Sequence, residues 1–392
     1  MPERDEDTTL LTRSLVLHAG DKAATARAHY LFVVEGEDKG RRIPLGVNPI
    51  VLGRSEPADV VLADPRISRS HCRVCLTMNE VIVIDLQSSN GTFIDGKRLS
   101  GGAALPVGAR MQIGSHVLEH ELRIRKEVEE SQELDRDLEQ AWNYIQALLP
   151  PPLTDGPIRS DWTLVPCTRL GGDAFGYRYL DSTHFAMYLI DVSGHGTGAA
   201  MHAVSVINVL RQPMLPEADY SDPAKVLAAL NAMFRMETHG NLYLTVWYGV
   251  YDLESHRLAY ASAGHHASLV VGPARDQAVP LRTRNPVIGV APEVSFQADA
   301  AVVPPGSMLY VFSDGVFEIT TRAGTDWDFE DFVKVMLERP VAGTEESRRL
   351  LQSVRANAKS PELDDDFSLM AFTFLEGRAI ERTPESTWPN RG

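Results

Sequence analysis

His184-Phe185-Ala186-Met187-Tyr188-Leu189-Ile190, running into Asp191-Val192-Ser193-Gly194-His195-Gly196-Thr197-Gly198, decides how the larger part of this chain folds. The first seven residues are a short apolar run of the length of a buried strand. The glycines after Asp191 let the backbone turn sharply and approach a ligand, and a helical pattern opens near Ala199. A carboxylate at the end of a buried strand, followed by a glycine-rich turn, fixes a metal ligand on a rigid scaffold. Other acidic patches share that setting: Gly171-Gly172-Asp173 upstream, and Ser313-Asp314-Gly315 with Asp364-Asp365-Asp366 downstream.

Outward from this stretch, residues 153–376 alternate strands and helices. Strands are expected at Trp162–Thr168, Ala174–Tyr179, His184–Asp191, Tyr243–Leu253, Arg257–Ala263, Ala267–Val271 and Met308–Ser313. Helices are expected at Ala199–Gln212, Pro223–Glu237, Phe329–Glu338 and Glu345–Ala358. Ser221-Asp222-Pro223 is a sound helix entry, with a capping side chain beside a proline of the first turn. Strand pairs with helices grouped between them indicate an α+β sandwich.

Several carboxylates gathered at low dielectric repel one another unless divalent cations neutralise them. All-oxygen ligation selects hard ions, Mg²⁺ or Mn²⁺. Any one of these aspartates alone reads as a surface turn residue; as a set they read as a metal site.

The preceding segment differs. Residues 30–118 read as short strands, Tyr30–Val34, Ile50–Leu52, Val60–Leu62, His71–Leu76, Val81–Asp85, Thr92–Ile94 and Arg110–Ile113. Asn90-Gly91, Asp95-Gly96 and Gly101-Gly102 supply turns between them. That spacing indicates an all-β sandwich. Its loops hold Gly53-Arg54-Ser55, Ile67-Ser68-Arg69-Ser70-His71 and Gln87-Ser88-Ser89-Asn90-Gly91-Thr92, a set of guanidinium, hydroxyl and amide donors suited to clamping a phosphate. Cys72 and Cys75 form a C-x-x-C, but residues three apart on a strand face opposite ways. With no second pair to complete a tetrahedral zinc site, they read as packing cysteines.

Residues 119–149 are Glu-rich, free of Pro and Gly, and strongly helix-forming. Leu134, Leu138, Ala141, Ile145 and Leu148 alternate steps of four and three, a seam of about two heptads. Pro150-Pro151-Pro152 must end it, giving a helical linker over 119–152. A lone helix of this kind is marginal in water, so it packs on its own domain or on a second copy as a homodimer. Residues 1–29, where Thr8-Thr9 sits among acids, and residues 377–392 read as disordered arm and tail.

The chain is 44% hydrophobic and 23% charged, with net charge −15. No stretch approaches the ~18 apolar residues of a membrane span, and no signal-peptide core opens the chain. The three cysteines fit a reducing compartment, so a cytoplasmic protein is expected. The acidic balance argues against nucleic acid as a partner. Residues 30–118 are nearly neutral, with ten Lys or Arg against nine Asp or Glu, and remain able to receive an anion.

The loop motifs of residues 30–118, in order and spacing, closely resemble forkhead-associated (FHA) domains, which bind phosphothreonine peptides. By that resemblance Arg54 and Ser68 hold the phosphate, Arg69 and Ser89 assist, and Asn90 bonds the peptide backbone. His71 matches a position that braces the loops. L-G-G-D, D-V-S-G-H-G, A-G-H, S-D-G and D-D-F-S, over roughly 220 residues, look like the metal-dependent serine/threonine phosphatases of the PPM class, in the branch of RsbU and SpoIIE. Many of these dephosphorylate anti-anti-sigma factors (STAS domains).

That resemblance implies an α-β-β-α sandwich carrying two divalent cations. Asp191 would bridge the two ions and the Val192 carbonyl would add a ligand. Asp173 would serve the second ion, and Asp314 and Asp365 the first, with Asp366 as the fallback for Asp365. It implies hydrolysis by a metal-activated water without a covalent intermediate. His195 and His265 read equally as proton donors to the leaving oxygen or as braces of glycine-flanked turns, and Arg169 is a secondary candidate for touching substrate phosphate. Gly176 stands where many relatives carry another Asp, and Ser368 where Thr is common.

The expectation is therefore a multidomain PPM phosphatase governed by an FHA domain. Its rival is an FHA phosphopeptide scaffold whose phosphatase-like half is inert.

Overall fold

The computed structural model describes residues 26–377, apart from 79, 217, 239–241, 293, 323, 342 and 361–362. The expectations for Thr8-Thr9, for nearly all of the arm and for the tail beyond 377 lie outside the described residues. The chain forms two units, Met1–Arg136 and Asp137–Gly392.

In the first unit a six-stranded sheet faces a five-stranded one. The central strands of the larger sheet, Arg27–Glu35 and His116–Ile124, pair antiparallel over most of their length. In the smaller sheet, Ile50–Gly53 pairs with Cys72–Thr77, which pairs with Glu80–Asp85. Alternation fills the core: Leu31, Val33, Leu52, Cys72, Val74, Val83, Met111 and Leu118 are buried between the sheets. Cys72 points inward and Cys75 is only partly covered, as their spacing requires. No metal pair forms from them.

Two expected boundaries shift. Residues 27–29, read as arm, begin the first strand, and residues 119–124, read as linker helix, complete the strand His116–Ile124. Glu119, Glu121 and Arg123 satisfy helix propensity, but ladder pairing with Phe32, Tyr30 and Ala28 overrides it. Helix α1 therefore starts at Arg125 and runs to Leu148, where the Pro150-Pro151-Pro152 run follows.

In the second unit two five-stranded antiparallel sheets stack face to face. One is ordered Ile158–Val165, Phe367–Phe374, Met308–Phe312, Ser268–Val271, Ala278–Leu281; the other Asp173–Tyr179, His184–Val192, Leu244–Asp252, Arg257–Ala263, Asp299–Val302. Successive side chains of a strand point to opposite faces, and Met308–Phe312 shows the result. Leu309 and Val311 join the core shared by the sheets, whereas Tyr310 and Phe312 join the core beneath the helices Phe329–Leu337 (α4) and Glu346–Asn357 (α5). Helices Thr197–Arg211 (α2) and Pro223–Met233 (α3) cover the other sheet with Val206, Ile207, Val226 and Leu230. This is the expected α-β-β-α sandwich. Asp222 caps α3 by accepting from the Ala224 and Lys225 amides.

Phe367–Phe374, central in its sheet, was not among the expected strands. Its mostly apolar run, interrupted by Ser368 and Thr373, is covered on both faces, so it lacks the period-2 alternation of a half-exposed strand. The expected strand Trp162–Thr168 instead spans Ile158–Val165. Pro166 has no amide to give the ladder, and the Cys167 amide turns away to the Asp366 carboxylate at 2.8 Å.

The second half of α1 belongs to this unit. Leu138, Ala141, Trp142 and Ile145 pack on Leu170, Ala200 and Val204. Leu148 and Leu149 enter the main core, and Trp162 donates its indole N–H to the Pro150 carbonyl. Of the heptad seam only Leu134, 59% exposed, stays open.

Candidate functional site

Asp173 and Asp191 stand opposite each other at the ends of paired strands, and like charges in direct register are unfavourable. Asp191 also accepts from the Thr245 hydroxyl, its neighbour on the other side. Burial pushes Asp191 up to about 7, helped by the charges of Asp314 and Asp365. Burial likewise raises Asp314 to about 6, with Asp365 and Glu318 adding to it. Asp173 is raised well above the usual carboxylate range by burial, then by Asp191 and Asp366. Asp365 is raised by desolvation, against which the Asp366 amide and the nearby His195 act. The structure thus brings Asp173, Asp191, Asp314 and Asp365 into one electrostatically coupled group.

Two features of this group invite a cation. Asp173 is 5% exposed, yet its Oδ2 has no hydrogen-bond partner among the described residues. Beside it, a Cβ on Gly172 would sit 2.5 Å from the Val192 carbonyl oxygen, so glycine keeps the approach to that oxygen open. Carboxylates that oppose one another's ionisation bind a multivalent cation with oxygen donors readily.

Asp366 plays a different part from Asp365. Its Oδ1 accepts from the Cys167 amide at 2.8 Å and its Oδ2 from the Gly172 amide at 2.7 Å. Its carbonyl accepts from the Ser313 hydroxyl, which in turn accepts from the Ser368 amide. A Cβ on Gly171 would meet the carboxylate at 2.2 Å. One buried aspartate therefore bolts together the turns that carry Asp173, Asp314 and Asp365. In the triple-Asp register it is Asp365, exposed, that faces the cluster.

Asp366→Asn puts an amide donor against one of those N–H groups. The expected outcome is Mn²⁺ affinity lower by about 10- to 100-fold in a chain that still folds, measured by calorimetry. Unchanged affinity would remove Asp366 from this role.

His195 stands at the mouth of the group, exposed, beside Asp365. His265 is different: it is 2% exposed, packed against His266 with ring centroids 4.3 Å apart and tilted by 39°, and held well below the ordinary imidazole range by burial. Its proton-donor reading gives way to the bracing one. His266, missed in the sequence, is partly buried, and desolvation pushes it down to about 4. Its ring packs on Phe312 and Phe317. Cys167 was also missed: its Sγ lies within 4.8 Å of the Asp365 and Asp366 carboxylates. Burial and Asp366 push this thiol up to about 12, so it stays protonated beside them. At Gly176 a Cβ would strike the Tyr188 ring; the tyrosine occupies the room another acid would need. Arg169 is exposed in the loop before the Gly171-Gly172 turn.

In the first unit Arg54, Ser68, Arg69, Ser89 and Asn90 lie on three loops at one end of the sandwich. The Arg54 amide donates to the Ser68 carbonyl at 3.0 Å. The Ser89 amide donates to the Ser68 hydroxyl at 3.1 Å, and Asn90 Nδ2 to the Arg66 carbonyl at 2.6 Å. His71, fully buried, receives the Ser68 amide on Nδ1, and its Nε2 lies 3.2 Å from the Gly91 carbonyl. Only the tautomer protonated at Nε2 satisfies both contacts. His71 thus ties the loops together from inside, while Arg54 and Arg69 remain exposed.

A family described as Stage II sporulation protein E (SpoIIE) matches residues 181–375, and the FHA domain family matches residues 50–114. The chain joins an FHA domain to a SpoIIE-type phosphatase domain. Phosphoserine phosphatase RsbU of Bacillus subtilis is 25% identical over 240 residues, covering 61% of this chain and 70% of the relative. Phosphoserine phosphatase RsbP of the same organism is 25% identical over 235 residues, and the chain spans only 56% of its length. FhaB of Mycobacterium tuberculosis is 34% identical over 113 residues, 28% of this chain and 73% of that protein. This places the first unit in the FHA family. The SiaA-PP2C domain of Pseudomonas aeruginosa superposes with a TM-score of 0.54 at 16% identity, covering 64% of this chain and 100% of that one. The second unit of the FHA–SpoIIE chain thus has the PP2C fold, and by family it is a PPM-class protein phosphatase.

Proposed function

We propose that the chain hydrolyses phosphoserine and phosphothreonine on a signalling protein, and that its FHA domain governs this by binding a phosphothreonine partner. The observation that carries the reading is that Asp173 and Asp191 face each other across paired strands while Asp314 and Asp365 oppose the ionisation of Asp191, with Gly172 leaving the Val192 carbonyl open beside Asp173. Asp191, between its partners, would bridge two divalent cations, Mn²⁺ or Mg²⁺. Val192 and Asp173 would serve one, Asp314 and Asp365 the other. When bound, the cations supply Lewis-acid activation of water and neutralise charge on the phosphoryl oxygens. The chain's own residues place and hold that chemistry. Asp366 fixes the ligand turns, Thr245 orients Asp191, and His195, exposed near Asp365, would hand a proton to the leaving oxygen. The likeness to a phosphoserine phosphatase, RsbU, supports phosphoserine as the group removed, and a STAS-type anti-anti-sigma protein is the substrate class that the resemblance to the PPM branch implies. Release of phosphate from such a phosphoprotein by the purified full chain with Mn²⁺ tests the reading; a phosphoprotein left intact would refute it.

Metal and proton compete for the same oxygens, which gives a second expectation. The folded pKa values of Asp191 and Asp314, about 7 and about 6, lie above the unfolded ones. Their contribution to stability is therefore present at low pH and lost as pH rises through those values. The melting temperature of the metal-free chain should fall between about pH 5 and about pH 8, and the rise on adding Mn²⁺ should be larger at the higher pH. A Mn²⁺ effect independent of pH would contradict the assignment.

Helix α1 follows directly on the last FHA strand, and its second half packs on Leu170 and Ala200, beside the turns bearing Asp173 and Asp191. That contact supports α1 as the element through which peptide binding reaches the metal ligands. With Leu138, Ala141, Ile145 and Leu148 committed to its own domain, a homodimer through α1 would have to use Leu134 and the exposed Tyr144.

A further inference from the structure

We propose that a cleft next to Asp314 seats a cationic side chain of the phosphorylated protein and so selects which phosphoserines are accepted. The proposal rests on the phosphatase reading above and adds a specificity site to it. The cleft, of about 540 Å³, is walled by Phe317, Trp327 and Phe329 and rimmed by Glu318, Asp326 and Asp328. None of its lining residues is basic. It opens immediately beyond the metal-ligand candidates: the Glu318 amide donates to the Asp314 carbonyl at 2.8 Å, and the Glu318 charge opposes ionisation of Asp314.

The walls are fixed. Trp327 is 5% exposed and anchored in the core beneath α4 and α5. Phe317 and Phe329 meet edge-on with centroids 5.4 Å apart, and both pack on Phe312. The indole N–H of Trp327 has no partner among the described residues. The three carboxylates are exposed. Asp328 is partly engaged, capping α4 through the Glu330 and Asp331 amides, whereas Asp326 and Glu318 face solvent at the rim. Of the nearby cations, Lys334 pairs with Asp331 and Arg322 donates to the Ala358 carbonyl, while Lys359 lines a smaller adjoining cleft that shares Ile319 and Thr320 with this one.

Aromatic faces beside carboxylates form a site for an ammonium or guanidinium group. An anion would be repelled, and an apolar group would strip water from the acids without replacing it. The phosphate must reach the metal ligands next door, so the cation belongs to the same molecule as the phosphoserine.

The test uses the full chain with Mn²⁺ and a panel of phosphoserine peptides in which one Arg is moved along an otherwise neutral sequence. One register should lower KM by about 5- to 10-fold relative to the Arg-free peptide, with kcat unchanged. Asp326→Lys should erase that preference and leave turnover of p-nitrophenyl phosphate and the thermal melt as in the parent. A flat panel from a chain that hydrolyses p-nitrophenyl phosphate, or a preference that survives Asp326→Lys, overturns the cleft while sparing the phosphatase reading. If nothing is hydrolysed, the phosphatase reading itself falls. The cleft is then judged by calorimetric binding of the unphosphorylated Arg peptides to parent and Asp326→Lys chains, and no Arg-dependent difference between them overturns it.

Discussion

Asp191→Asn should lower Mn²⁺-dependent hydrolysis of p-nitrophenyl phosphate on the order of 10³-fold, about 4 kcal/mol of transition-state stabilisation. The substitution keeps the shape and one acceptor for the Thr245 hydroxyl, so folding should survive. What it removes is the charge at the centre of the group, where Asp314 and Asp365 raise Asp191 and Asp191 raises Asp173. With that charge gone, Asp173 should ionise more easily and the metal-free protein should become more stable above about pH 7. Activity lost while the metal-free melting temperature rises is a signature that simple misfolding does not produce. An Asp191→Asn chain as active as the parent would dismiss this aspartate from the chemistry.

Arg54→Ala should weaken binding of a phosphothreonine peptide on the order of 100-fold, about 3 kcal/mol, the scale of a charge-assisted hydrogen bond to phosphate. Arg54 is exposed, and the hydrogen bond that its backbone amide donates to the Ser68 carbonyl is untouched by the change. The fold should therefore be indifferent to it, and fluorescence anisotropy with a labelled peptide reads the loss directly. Equal binding by Arg54→Ala would mean that the phosphate contacts a different part of these loops.

How much of this was legible beforehand depended on the kind of signal. The aspartates at strand ends were readable because glycine and serine mark the turns on which they sit, and the strand His184–Val192 because its apolar run is short and bounded. The strand Phe367–Phe374 was hidden by being covered and mostly apolar on both faces, where periodicity is silent. The start of α1 was misplaced because Glu119 to Ile124 favour a helix until a partner strand is supplied. The separation of Asp365 from Asp366 needed three dimensions. Identical in type and adjacent in sequence, they differ only in that the Cys167 and Gly172 amides converge on one of them. The burial of His265 was equally invisible, since a histidine in a glycine-flanked turn looks accessible until Phe312 and its neighbours close over the pair.

The account turns on whether the acidic group takes up metal at all, and calorimetric titration of the full chain with Mn²⁺ at neutral pH asks that directly. The predicted result is saturable uptake that releases protons, because carboxylates raised toward neutrality must give them up, and that is lost in Asp191→Asn. An absence of saturable uptake by the parent chain would contradict the account and leave a phosphopeptide-binding scaffold with an inert second half.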